Sequence, residues 1–171
     1  EELQEKINKV ETAMCERRIV EIRKWFDEMD RLASVGQGDI KGKLLWLNDQ
    51  LRQMSSLGEA APYRIYEIAK EHGLEAAIDL FRKNFDNLLI NSMLREDGYS
   101  PNKIETMELD DKIKRLKLPE ELYKKANFVR IFCNMANHKF GITYKWSDLW
   151  VLAKFSLDLL KWYEKSKKEK K

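Results

Sequence analysis

Arg130, Asn134 and His138 fall at i, i+4 and i+8 of RIFCNMANH, residues 130–138, inside a segment of helical periodicity. At about 100° per residue the three lie within an arc of roughly 80° and along about 12 Å of helix axis. Cleavage of RNA without a metal needs a group that moves the proton of the 2′-hydroxyl. It also needs a cation to stabilise charge on the phosphorus oxygens. Histidine titrates in the right range and a guanidinium is a natural phosphate clamp. In this reading His138 is the acid/base, Arg130 the clamp, and Asn134 the group that orients imidazole or phosphate. The structural alternative is that Arg130 pairs with a carboxylate on another helix, while Asn134 and His138 hydrogen-bond the irregular segment FGITYKWS.

Other chemistries find little support. The sequence has no Walker loop, no GxSxG and no HExxH. Its two histidines, His72 and His138, make no metal-ligand spacing, so neither metal nor cofactor is expected. Cys133 and His138 would point about 140° apart on a regular helix, which disfavours a thiol nucleophile with a histidine base. Cys15 and Cys133 are far apart and form no CxxC pair.

The elements that must position these residues are helical. Gly and Pro are few, and strong helix formers are plentiful in 171 residues, enough for one domain or a domain with an extension. Leu3, Ile7, Val10 and Met14 open a long amphipathic helix that continues through Ile19, Ile22 and Leu32, until GQGD breaks it at 36–39. A second helix runs from about Ile40 to Ser55 on Leu44, Leu47 and Leu51. Pro62 suits the first turn of a third, which ends at His72–Gly73 in a left-handed cap. Residues 74–96 form the strongest helix, with Ala77, Ile78, Phe81, Phe85, Leu88, Leu89 and Met93 inward. GYSPN reads as a turn, and 106–116 as a short amphipathic helix. Pro119, Glu120 and Glu121 then start the helix that carries 130–138, which should stop near Lys139.

Ser147 is expected to cap a last helix running to about Lys165. That helix has two apolar faces: Leu149, Trp150, Ala153, Leu157 and Leu160 on one, and Val151, Phe155, Leu159 and Trp162 on the other. It is therefore either central in the bundle or seated at a subunit contact.

Charge says little about partners. The net charge is +3, and the stretch from Lys154 to Lys171 alone carries seven Lys against Asp158, Glu164 and Glu169. The tail reads as a solvated helix end. No apolar run approaches the roughly 20 residues of a membrane span, and no signal segment opens the chain. The expectation is a reduced, cytoplasmic protein without a membrane partner.

LDDKIKRLKLPEELYKKANFVRIFCNMANH, followed by a turn and a long amphipathic helix, resembles the HEPN superfamily. The nearest likeness is to its domain-of-unknown-function branch with an R-x-x-x-N-x-x-x-H motif. FRKNFDNLLINSMLREDGYS resembles the preceding long helix of that branch. The resemblance spans about 74–165. It divides the chain into a helical extension (1–73), a HEPN-like all-α bundle (74–165) and a basic tail (166–171). It implies a homodimer or a helical protein partner, action on RNA in RNA metabolism or defence, and in active members metal-independent ribonuclease chemistry. It assigns Arg130, Asn134 and His138 as the catalytic set. A non-catalytic dimerisation or docking module of a larger assembly is the alternative.

Two departures qualify what the resemblance implies. Active nucleases of the superfamily have Arg directly before the polar residue, where this chain has Cys133, and Arg130 lies one turn earlier. The pattern also often has Tyr two residues after His, where this chain has Phe140.

Overall fold

The computed structural model describes residues 2–35, 40–54, 65–135 and 143–169. The chain is all-α, with no strand among the described residues. It divides into two compact units, Glu1–Gln37 and Gly38–Lys171. The first is one helix, α1 (Glu2–Val35). Its early seam residues Leu3 and Ile7 are exposed, and Trp25 meets Phe26 edge-on at 5.1 Å. The side chains of Val10, Met14, Ile19, Leu32 and Leu51, the GQGD break and Pro62 lie outside the described residues.

The second unit is a helical bundle. Its elements are α2 (Ile40–Met54), α3 (Ile65–His72), α4 (Leu74–Asn84), a π-helical turn (Phe85–Ile90), α5 (Asn91–Glu96), α6 (Pro101–Glu105), α7 (Leu109–Arg115), α8 (Glu120–Met135) and α9 (Trp146–Glu169). α2 lies along α9, α3 against α4, and α4 against both α8 and α9; α7 packs on α8 and on the π turn. The boundary at residue 73 marks the extent of the sequence resemblance. The boundary at Gln37–Gly38 marks compactness, and it groups α2 and α3 with the helices that follow.

The helix expected over 74–96 is present, but it is not a regular α-helix. Ala77, Phe81, Phe85, Leu89 and Met93 recur at intervals of four and are all buried. In a pure α-helix that spacing advances about 40° per step and would carry the apolar line off its face. One wider turn at Phe85–Ile90 absorbs the drift, the usual form of a π bulge. Ile90 and Leu94 are buried as a consequence, whereas Leu88 is only half-buried. Phe81 stacks on Phe85 at 5.9 Å, and Phe85 reaches Phe155 of α9 at 6.3 Å.

Local signals explain most helix ends. Gly73 has φ 96 and ψ 164, so it takes positive φ as expected; this is the extended mirror region open essentially to glycine, not the left-handed helical cap. GYSPN is more than a turn: Ser100 Oγ accepts the Lys103 N–H at 3.2 Å and Pro101 occupies the first turn of α6. The helix expected over 106–116 is accordingly confined to α7. Pro119 O accepts the Tyr123 N–H at 2.8 Å, which seats Pro119 just ahead of α8.

At the start of α9, Ser147 is already inside the helix. The capping group is Asp148, whose Oδ2 accepts the Lys145 N–H at 2.8 Å, half of a capping box. α9 also continues past Lys165 to Glu169, where Lys167 hydrogen-bonds Glu96 and lies 4.9 Å from the centre of the Tyr163 ring.

α9 is central. Leu149, Ala153, Leu157 and Leu160 on one face and Val151, Phe155 and Leu159 on the other are all buried, with Trp150 and Trp162 half-buried. Its two apolar faces are used within the bundle, against α2, α4 and α8. No helix among the described residues is long and apolar enough to cross a membrane.

Candidate functional site

α8 earns its helix from Ala126, Val129 and Cys133, at i, i+3 and i+7, with Phe132 beside them; all four are buried. Phe132 meets Tyr144 edge-on at 5.5 Å, which joins α8 to the segment just before α9. Arg130 and Asn134 stand on the flank of this face and are half-buried. The Arg130 side chain keeps 22% of its surface open. Its guanidinium therefore borders solvent.

Two groups hold that guanidinium. Arg130 Nε donates to Asn127 Oδ1, one turn earlier, at 3.4 Å. Its Nη2 lies 4.0 Å from Asp110 Oδ1 at the start of α7. Asp110 is also 3.4 Å from Lys114 Nζ within α7. The carboxylate partner allowed for in the sequence is thus Asp110, on another helix as expected, but the contact is long and shared. An ion pair of this exposure contributes up to about 1 kcal/mol, and a phosphate could displace it.

His138 lies outside the described residues, as do Lys139, Phe140 and Gly141. The structure therefore brings Arg130 and Asn134 onto one flank of α8 and has no bearing on where His138 sits relative to them.

Cys133 is 1% exposed. Burial pushes its thiol well above the ordinary range, with the nearby Arg82 opposing and Asp79 adding to the effect. Burial thus disfavours the thiolate and keeps the sulfur away from solvent. A guanidinium at the same position would point into the core. Arg130, one turn earlier, stands on the flank of that buried face.

Sequence reading missed the ionic contacts that fix α7. Lys112 is buried, and its Nζ donates to Asp86 Oδ1 of the π turn at 2.7 Å. The segment 106–116 reads in sequence only as a short amphipathic helix; the available signal was Asp86, which stands on the π turn that packs against α7. Among the described residues no group of His, Cys, Asp and Glu is placed to hold a metal ion. Neither the family models, nor the curated proteins, nor the solved structures include a match to this chain.

Proposed function

We propose that this chain is a HEPN-like helical protein of RNA metabolism or defence that engages RNA backbone through Arg130 and Asn134. The observation that carries the reading is the state of Arg130: half-buried, oriented by Asn127, and held by a long, exchangeable contact to Asp110. A phosphate arriving at the flank of α8 would exchange a shared carboxylate for a full charge-assisted hydrogen bond, a favourable trade for a guanidinium. Endoribonuclease activity, if present, rests on His138 as acid/base, with no part for Cys133. The docking-module alternative draws on the two apolar faces of α9, which are used within the bundle, and on the coiled-coil spacing of the N-terminal extension, where Leu3 and Ile7 are exposed.

The test is binding and cleavage of a labelled single-stranded RNA in chelator, by the parent chain beside Arg130→Ala and His138→Ala. Arg130→Ala should weaken binding by roughly tenfold, as expected for one charge-assisted phosphate contact. His138→Ala should abolish any cleavage while binding persists. Binding that is indifferent to Arg130→Ala would remove α8 from RNA recognition.

A further inference from the structure

The first unit carries two apolar faces, and only one of them is buried. Leu3, Ile7, Val10 and Met14 recur at the four- and three-residue intervals of a coiled-coil core. That register sets Leu3 and Val10 at position d of the heptad, and Ile7 and Met14 at position a. The backbone of α1 is helical throughout the stretch. Leu3 is nevertheless 72% exposed and Ile7 42% exposed. Later in the same helix, Ile22 and Phe26 are each 1% exposed. At about 100° per residue, the Ile22–Phe26 face lies about 110° round the helix from Leu3 and Ile7. The early seam is thus a surface of its own and not the fraying end of the buried one.

We propose that residues 3–14 pair with the same residues of a second copy of this chain, as a parallel two-stranded coiled coil. The contact lies wholly outside the stretch that resembles HEPN, and it is independent of the reading given to the flank of α8.

Two features select this occupant. The first is side-chain shape: β-branched Ile7 at a beside Leu3 at d is the combination that favours two strands over three or four. The second is charge. Lys6 falls at g and Glu11 at e in the same register. In a parallel pair, g of one chain meets e of the next heptad in the other, so Lys6 meets Glu11 of the second copy, and two-fold symmetry repeats the contact. An antiparallel pair would instead set g against g and e against e. Lys6 would then face Ala13, and Glu11 would face Gln4, with no ion pair in either case. The seam is therefore complementary to itself in one orientation. Glu2 and Lys6, and Glu5 and Lys9, stand at i, i+4 in the favourable order, which supports the helix that presents the seam.

Two heptads make a short interface, below the roughly 1,200 Å² of a stable complex. The pairing should accordingly be reversible, with a dissociation constant on the order of 100 µM.

The experiment is sedimentation velocity of the full chain between about 10 µM and 1 mM, which brackets that constant. A shift from monomer to dimer across the range is expected. Ile7→Asp should weaken it at least about tenfold while leaving the melting temperature unchanged, because Ile7 is exposed in the single chain. Lys6→Glu and Glu11→Lys each set like charges across the seam, so each alone should associate more weakly than the parent. An equimolar mixture of the two should regain the parent's affinity, since both cross-chain contacts become attractive again. Leu3→Cys in a Cys15→Ser background should cross-link copy to copy through position 3 on mild oxidation, which a parallel pair allows and an antiparallel pair forbids. A chain that stays monomeric to about 1 mM overturns the proposal and leaves the seam to the helix of another protein. So does a dimer indifferent to Ile7→Asp, a mixture of the charge variants no stronger than either alone, or the lack of a cross-link through position 3.

Discussion

Removing Asp86 should destabilise the bundle more than removing its partner Lys112, and the difference can be worked from the geometry. At 2.7 Å, with an effective dielectric of about 20, the mutual attraction is about 6 kcal/mol. Desolvation of the two charges opposes it by several kcal/mol per ion, so the intact pair contributes little net stability. The two side chains differ in exposure, 6% for Lys112 against 29% for Asp86. Asp86→Ala therefore strands an ammonium out of water and should cost about 3 kcal/mol. Lys112→Met keeps an unbranched apolar stem and leaves a carboxylate that water can reach, for about 1 kcal/mol. The double variant should fall within about 1 kcal/mol of the parent, because it leaves neither charge unpaired. Urea denaturation followed by circular dichroism gives all three values and the coupling energy. A 3 kcal/mol loss corresponds to roughly 10 °C in melting temperature for a unit of this size. Equal costs for the two single variants, or a double variant as unstable as Asp86→Ala, would refute the argument that burial of the ammonium sets the penalty.

Tyr163 and Cys133 give two further expectations. Burial first, then the Asp97 carboxylate, hold the Tyr163 hydroxyl well above its ordinary value of 10.0. The folded state therefore keeps a proton that the unfolded chain releases, and stability present below about pH 10 is lost as pH rises beyond it. Tyr163→Phe should cost about 1–2 kcal/mol at neutral pH through its hydrogen bonds, and should flatten the alkaline limb of melting temperature against pH. For Cys133, alkylation by iodoacetamide, measured by mass spectrometry in a Cys15→Ser background, should be at least about 100-fold slower in the folded than in the unfolded chain. Cys133→Arg should cost more than about 4 kcal/mol by burying an unpaired charge.

Periodicity made the helices legible, and local chemistry blurred their ends. α8 and α9 follow from apolar residues at three- and four-residue intervals, and the two-faced pattern of α9 already allowed the central position it occupies. Ser100–Pro101 was a readable start signal that the turn-forming glycine before it obscured. Asp148 was missed as the cap of α9 because its carboxylate reaches back from inside the helix, whereas Ser147 stood where a cap is usually sought. At the candidate site, Arg130 and Asn134 were legible as a shared flank, and the need of Arg130 for a carboxylate followed from its burial. That the carboxylate would be Asp110 could not be read, because it depends on how α7 crosses α8.

The π turn has a consequence for how this chain can change over evolutionary time. In effect it is a one-residue insertion whose two flanks are each committed to the core. Loss of one residue from Phe85–Ile90 would restore a continuous α-helix and leave both flanks in register, because the wider turn already absorbs the extra residue. Met93 and Leu94, now buried, would keep their places in the core, and what the deletion would change is the aim of Asp86 at Lys112, which the wider turn sets. A second loss has no wider turn to absorb it and would rotate everything downstream by about 100°. The segment should therefore tolerate one residue of change in length, at the expense of the Asp86–Lys112 contact, and not two.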